Sequence, residues 1–369
     1  MIYVVLLIVI FILKALIYRE RTIIKISKDD LHLKTVDNLH LKIVFFLFFI
    51  LMGFRDNSVG IDTINYYYIF QNSASATWSD LLGGYTNNHI EIFYSCLMKL
   101  VSSLGLGFDS FKIFTAFIYN VLMYRFIYHF SVNKFSSLCI YLGLGFLTTA
   151  FNIERQMLAI SFLCNSFVNY DKKSYIKAGL FFILSGLTHT ILFIVGSFAI
   201  WLYCNKNSNK IMLTSFVGVC VLLPSVKMVL EIASTYIPRF HTYYLGNQAH
   251  LTAGGVVIFW AMVILLSCIV IACCLLRDDI YDSPLLLYSS VMSYMYVITC
   301  VIGLDINYFE RLGICVLPFM IVFFDRIGVN IKDYIYKNLY YASIVIFFVT
   351  WYLATSIFTT QYEYHFFIN

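Results

Sequence analysis

The stretch LKIVFFLFFILMGFRDNSVGIDTINYYYIF, residues 41–70, joins an apolar run to a cluster of charged and turn-forming residues. Lys42 is the only charged side chain before Arg55, which is followed by Asp56 and Asp62. An apolar run of this kind suits a lipid bilayer, where no water is available to bond the backbone. Because an α-helix satisfies its own backbone, the run predicts a membrane helix that ends where the charges begin.

Similar apolar runs recur along the whole chain of 369 residues. Hydrophobic residues make up 61% of the sequence and charged residues only 12%, against about 25% charged residues in a typical soluble domain. We therefore predict an all-α, polytopic integral membrane protein with about 12 transmembrane helices. Residues 1–369 are expected to form a single transmembrane domain.

Charge and cysteine usage argue against a nucleic-acid-binding protein, a disulfide-rich protein and a metalloprotein. The net charge of +5 comes mostly from basic residues in short connectors, which favours orientation in a membrane over nucleic-acid binding. The ten cysteines lie largely inside apolar runs without a CxxC pair, and the eight histidines form no HExxH motif. We expect no disulfide, no metal and no cofactor.

Basic residues set the predicted orientation. The first apolar run, residues 1–18, lacks a small-residue cleavage site and is expected to be retained. By the positive-inside rule, the basic residues near its end place residues 19–40 in the cytoplasm and the N-terminus outside. Counting crossings from there puts both termini outside, with residues 55–109 and 231–254 on the extracytoplasmic face. The basic residues are Lys14, Arg19, Arg21, Lys25, Lys28 and Lys34.

Two segments depart from simple spans. Residues 90–104 are short and contain two charges, so we predict an amphipathic or re-entrant helix on the outer face. Residues 174–204 are too long for one span and are expected to divide at SGLTHT, residues 185–190, into a short helical hairpin. The remaining predicted spans are 110–130, 135–151, 155–170, 211–230, 255–276, 284–303, 311–325 and 339–358.

This topology collects ionisable residues at the outer face. Charged side chains at a membrane are costly and tend to be paired or functional. Arginine suits phosphate because its planar fork donates two hydrogen bonds and stays charged. The arginines therefore predict an anion site open to the outer face. The residues are Arg55, Asp62, Glu91, Arg155, His189, Arg239, His241, Glu310 and Arg311.

Several of these residues also have a structural interpretation. Arg55 would snorkel to the interface, and Asp62 would cap a helix that begins at Thr63. Arg155 would form a salt bridge with Glu154, although adjacent helical residues point to different faces.

The other candidates are open to similar alternatives. Glu91 would be a solvated residue of a surface helix, His189 a structural histidine, and Arg311 an anchor at a helix end. Against this, an imidazole exchanges protons near neutral pH, which makes His189 a candidate for proton transfer. In the predicted outer loop, Arg239 and His241 suit stacking and hydrogen bonding to sugars.

Five stretches of the chain together resemble the EpsG-like branch of the Wzy polysaccharide polymerases. Each stretch is short, and their order and spacing over most of the chain carry the resemblance. They are RDNSVGIDTINYY (55–67), IEIFYSCLMKLVSSLG (90–105), ERQMLAIS (154–161), GLTHT (186–190) and FERLG (309–313).

The resemblance implies an enzyme of bacterial surface glycan assembly in the inner membrane, such as an O-antigen, exopolysaccharide or capsule polymerase. Such an enzyme transfers a glycan from undecaprenyl diphosphate onto a lipid-linked oligosaccharide repeat unit on the outer face. It would bind the lipid-linked substrate within membrane lipid and work beside a flippase and a chain-length regulator. A flippase for the same substrate and an O-antigen ligase are the alternatives.

On this interpretation, the candidate residues receive roles. Arg55, Arg155 and Arg311 would bind the diphosphate and stabilise the charge that builds on it. One of His189, Glu91 and Asp62 would take the proton from the attacking sugar hydroxyl. Sugar binding would fall to Arg239, His241 and Trp78, with the indole of Trp78 stacking on sugar rings.

Overall fold

The computed structural model describes residues 2–23, 30–83, 90–236, 284–303, 307–358 and 364–366. These residues form sixteen α-helices. Their only β pairing, within the described ranges, is an isolated antiparallel bridge between Arg55 and Phe366. The predicted all-α class is confirmed.

The chain divides into two compact units, Met1–Thr190 with Asn338–Asn369, and Ile191–Lys337. The helices that begin in the first stretch are α1 (Ile2–Ile23), α2 (Asp30–Gly53), α3 (Thr63–Ser75), α4 (Trp78–Leu82), α5 (Ile92–Ser103), α6 (Phe108–Phe130), α7 (Lys134–Gly143), α8 (Phe146–Asn152), α9 (Glu154–Asp171) and α10 (Tyr175–Thr188). The helices that follow are α11 (Ile191–Cys204), α12 (Asn209–Tyr236), α13 (Pro284–Gly303), α14 (Asn307–Ile314), α15 (Pro318–Asn330) and α16 (Tyr334–Phe358).

Helix α9 is the central helix of the first unit. Most of its length is buried, including polar residues such as Ser161 and Asn165. The Asn165 side chain donates a hydrogen bond to the carbonyl of Leu122 on α6 at 2.8 Å. On the other side, Ser166 donates to the carbonyl of Ala178 on α10 at 2.8 Å. Such bonds join helices where lipid gives no hydrophobic drive, so the low apolarity of α9 reflects its inside position.

Helices α6 and α9 run parallel. Thr115 and Glu154 are in contact near the beginnings of the two helices. At their ends, His129 pairs with Asp171 at 2.8 Å. Because the candidate site residues lie near the beginning of α9, they lie at the opposite end of this helix pair from the basic turn that follows Asp171.

Few helices meet a strict test of length and apolarity for crossing a membrane. In the described residues, α13 and the Tyr334–Thr355 part of α16 do so, and α7 with α8 would count as a third span, bent by 44°. The prediction of about twelve spans is therefore not confirmed. Several helices, such as α10 and α11 with 14 residues each, are shorter than the bilayer core at 1.5 Å per residue, about 21 Å against roughly 30 Å.

Helix boundaries follow the predicted pattern only in part, since α2 begins at Asp30, before the apolar run at residue 41, and α12 continues to Tyr236, beyond the predicted end at residue 230. Helix α5 is a separate 12-residue helix, and residues 174–204 do divide near His189 into α10 and α11. The prediction of one helix over residues 311–325 is wrong, because the segment is divided between α14 and α15. Pro318 lacks a backbone N–H and begins α15. The predicted span 135–151 bends at Gly145, whose φ is +73°. The predicted span 255–276 lies outside the described residues.

Candidate active site

Three helix ends in the first unit bring Glu91, Arg155 and His189 together. Glu91 is the N-cap residue of α5, Arg155 is the second residue of α9, and His189 follows the last residue of α10. The Glu91 side chain forms no capping bond to its own helix. Its carboxylate is therefore available to the other two helix ends.

Each oxygen of Glu91 has its own partner. Oε2 lies 2.6 Å from Nη1 of Arg155 in an ion pair. Oε1 lies 2.8 Å from Nδ1 of His189 and also accepts a hydrogen bond from the backbone N–H of Thr190 at 3.1 Å. The side chains of Arg155 and His189 remain 21% and 20% exposed, so both are within reach of a ligand.

The pairing keeps Glu91 ionised. Burial alone would raise the pKa of Glu91, but the hydrogen bond from His189 and the positive charge of Arg155 outweigh burial and lower the pKa to about 2. An ionised carboxylate only accepts hydrogen bonds, so Nδ1 of His189 carries the proton that lies between them. The other nitrogen, Nε2, then has a free lone pair in the neutral ring. Among the described residues, Nε2 has no hydrogen-bond partner.

A second, more deeply buried ion pair includes Glu154, the residue before Arg155. Nη2 of Arg55 bonds Oε2 of Glu154 at 2.7 Å, and the two side chains are 0% and 1% exposed. The second oxygen of Glu154 accepts hydrogen bonds from Thr115 and from the phenol of Tyr94, the latter at 3.4 Å. Arg55 also donates to the carbonyl of Met52 and faces the ring of Phe151.

The loop after α2, which contains Arg55, is held in place by hydrogen bonds from other segments. The buried amine of Lys112 donates to the carbonyl of Arg55 at 2.7 Å and to the side chain of Asn57 at 2.6 Å. The C-terminal segment also pairs with this loop, where the backbone N–H of Asp56 donates to the carbonyl of His365 at 2.8 Å. The loop is thus fixed from two sides.

The same loop is packed tightly against the end of α8. Gly60 has φ +96°, and a Cβ at this position would lie 2.4 Å from the carbonyl oxygen of Phe151. The N–H of Ile61 donates to the side chain of Asn152 at 2.8 Å. This contact fixes the turn that leads into α9 and Arg155.

Of the residues that the sequence singled out, Glu91, Arg155 and His189 lie together. Arg55 is not exposed as a phosphate ligand would be, because it is fully buried against Glu154. The alternative pairing of Arg155 with Glu154 is wrong, since each pairs with a residue from another segment.

Other predicted site residues lie elsewhere. Asp62 is the N-cap residue of α3 but forms no side-chain capping bond. Trp78 begins α4 and is 43% exposed. Arg311, exposed in the last turn of α14, belongs to the second unit. Arg239 and His241 lie outside the described residues.

The sequence interpretation missed Glu154, Tyr94 and Lys112. Lys112 gave a usable signal, since it is a lysine in the largely apolar first half of α6. Glu154 stands beside Arg155 in the sequence, and nothing local indicates that its partner is Arg55. Within the described ranges, no group of three or more potential metal ligands comes together.

Comparison with known proteins gives one result. A family model described as the EpsG family matches residues 38–369. Neither the curated proteins nor the solved structures that were searched contain a match. The matched range includes Glu91, Arg155 and His189 and all but the first part of the chain. The chain therefore belongs to the EpsG family, whose members are membrane proteins of the polysaccharide-polymerase type.

Proposed function

We propose that this protein is a glycosyltransferase that polymerises a polysaccharide in the bacterial inner membrane. Its donor would be a glycan on undecaprenyl diphosphate, its acceptor a lipid-linked oligosaccharide repeat unit, and its active face the outer one. The observation that carries the proposal is the arrangement of Glu91 between the guanidinium of Arg155 and Nδ1 of His189. Family membership supplies the class of reaction.

His189 is the general base of the proposed reaction. Glu91 accepts a hydrogen bond from Nδ1–H of His189, which leaves the lone pair of the ring on Nε2, on the side away from Glu91. Nε2 would take the proton of the acceptor hydroxyl as that oxygen bonds to the anomeric carbon of the donor sugar. The bond from this carbon to the diphosphate oxygen breaks, and the lipid diphosphate leaves with the electron pair.

Arg155 is the proposed ligand of the diphosphate. Its charge is permanent and its fork matches two phosphate oxygens, so it would stabilise the negative charge that grows on the leaving group. Glu91 pairs with the same guanidinium through Oε2 and would hold it in place while its exposed part binds phosphate. Arg311, in the second unit, stays a candidate for phosphate binding from the sequence alone.

The other residues predicted from the sequence keep their proposed roles. The half-exposed indole of Trp78 suits stacking on a sugar ring, and Arg239 and His241 are retained as candidates for sugar binding. Asp62 is retained as the second candidate for a base. A chain-length regulator and a flippase of the same assembly process are proposed as functional partners.

The proposal is tested by deleting the gene in its host and resolving surface glycans by length. We expect single repeat units without longer chains, and restoration of long chains by the unaltered gene. Loss of all surface sugar would instead indicate a flippase or a ligase.

Two substitutions test the site itself. Arg155→Ala and His189→Ala are each expected to abolish long chains while the protein remains in the membrane. The matched controls are Arg125→Ala and His129→Ala, which alter the same residue types near the opposite end of the α6–α9 pair and should leave the chain-length pattern unchanged. A normal pattern from His189→Ala would remove the general base from the proposal.

A further inference from the structure

The buried ion pair between Arg55 and Glu154 is adjacent to the proposed active site but cannot form part of its surface. The two side chains are 0% and 1% exposed. No ligand can reach either charged group without opening the fold. Any effect of this pair on the reaction must therefore act through residues that do touch the substrate.

The pair is connected to the active site through two helices. On α9, Glu154 immediately precedes Arg155. On α5, Tyr94 donates to Glu154 at 3.4 Å, and Glu91 lies three residues earlier, on a neighbouring part of the same helix face. The beginnings of α5 and α9 are thus joined twice, by Tyr94 with Glu154 and by Glu91 with Arg155.

Placing an ion pair in the protein interior between α2, α5, α6 and α9 costs free energy. A buried ion pair often contributes less stability than apolar side chains of similar volume, because both ions lose their hydration. Nε of Arg55 also lacks a hydrogen-bond partner among the described residues. Directional contacts, in contrast, fix orientation. Glu154 gathers donors from the loop after α2, from α5 and from α6.

We infer that Arg55 and Glu154 are positioning residues that hold Glu91 and Arg155 in the geometry the transfer reaction needs. This inference rests on the proposed polymerase function. It replaces the predicted phosphate contact of Arg55 with an action through Glu154. A shift of about 1 Å in a catalytic group can lower a rate roughly 10²-fold, so the pair is expected to affect turnover far more than substrate affinity.

The test uses the full-length protein, purified in lipid nanodiscs and supplied with a lipid-linked repeat unit. The variants are Glu154→Gln, Arg55→Met and the double substitution, and the readouts are Tm, kcat and KM. Each single variant leaves one buried charge without its counter-ion and should lower Tm. The double variant removes both charges, so Tm should recover while kcat stays roughly 10²-fold below the unaltered protein and KM changes little. Recovery of both Tm and kcat in the double variant would overturn the inference.

Tyr94→Phe provides a milder variant that removes only one hydrogen bond to Glu154. It should fold normally and still lower kcat, and a wild-type kcat in both Tyr94→Phe and the double variant would contradict positioning. Asp171→Asn, which disturbs the ion pair at the other end of α9, is the matched control and should leave kcat unchanged. Full polymerisation by Arg155→Ala and His189→Ala would overturn the proposed active site and this inference together, whereas no polymerisation by the unaltered protein would overturn the polymerase function itself. Loss of activity in those two variants, with full kcat in the double variant, would overturn positioning alone.

Discussion

A single carboxylate organises the candidate site at the scale of residues. Glu91 gives one oxygen to Arg155 and the other to His189, so a change at this residue alters a cation and an imidazole at once. Neither partner lies near Glu91 in the sequence; His189 is 98 residues away. The carboxylate is therefore expected to stabilise the fold locally as well as orient the proposed base.

The pKa of Glu91 gives this contribution a pH dependence. Because the pKa is lowered from 4.5 to about 2, folding favours the ionised form, and the resulting stability is present above pH 4.5 and lost as pH falls towards 2. The Tm difference between the unaltered protein and Glu91→Gln should be largest above pH 5, shrink below the ordinary pKa and vanish near the lowered one. Thermal unfolding of the purified proteins across this range measures the difference. A constant difference at all pH values would show that ionisation of Glu91 does not contribute.

Sequence reasoning found the residues of the site better than their pairings. Glu91, Arg155 and His189 were identified because charged or titratable residues at predicted helix ends are unusual in a chain this apolar. The pairing of Arg55 with Glu154 spans 99 residues and depends on how α2, α5, α6 and α9 pack. No periodicity within one segment encodes that packing.

At the scale of elements, the loop between α2 and α3 is what brings the buried pair and the beginning of α9 together. Its boundaries were predictable, because the apolar run stops at Arg55 and Asp62 precedes α3. The close approach of Gly60 to Phe151 was not predictable. Glycine in a sequence indicates conformational freedom, but it does not indicate which backbone lies next to it.

Alanine substitutions at two glycines distinguish the cost of backbone strain from the cost of a steric clash. Gly60 and Gly105 both have positive φ, +96° and +76°, but a Cβ at Gly105 would meet no atom within 4 Å. Gly105→Ala should therefore cost only strain, about 1 kcal/mol. Gly60→Ala adds a clash with the carbonyl of Phe151 and should cost a further ~1–3 kcal/mol. Thermal unfolding compares the two variants directly, and equal losses of Tm would mean that the loop moves away from α8 freely.

At the scale of the whole molecule, the two ends of the parallel α6–α9 pair differ in charge, which allows the orientation of the first unit in the membrane to be predicted. The candidate site lies at the beginning of α9, whereas Lys172 and Lys173 follow its end. The positive-inside rule predicts that the basic end lies in the cytoplasm, which supports the proposed outer location of the site. The predicted order of helices is largely present, whereas the predicted number of spans is not confirmed, since helix length and composition qualify two or three spans among the described residues.

The predicted orientation is tested by cysteine labelling in right-side-out spheroplasts. Ser79→Cys, on exposed α4, should react with a membrane-impermeant maleimide without permeabilisation. Lys172→Cys, in the exposed turn after α9, should react only after permeabilisation. The unsubstituted protein measures the background from native cysteines such as Cys204, which is exposed. Labelling of Lys172→Cys in sealed spheroplasts would reverse the assigned orientation.

The ion pair between Arg55 and Glu154 also constrains how this chain can change over evolutionary time. A substitution of either residue alone leaves a charge buried without its partner, which costs about 3–5 kcal/mol. Because the pair is also inferred to position the active site, related chains with the same activity should retain both residues, although 99 positions separate them. In a library of random variants selected for long glycans, substitutions at either position should be depleted, including simultaneous substitutions at both.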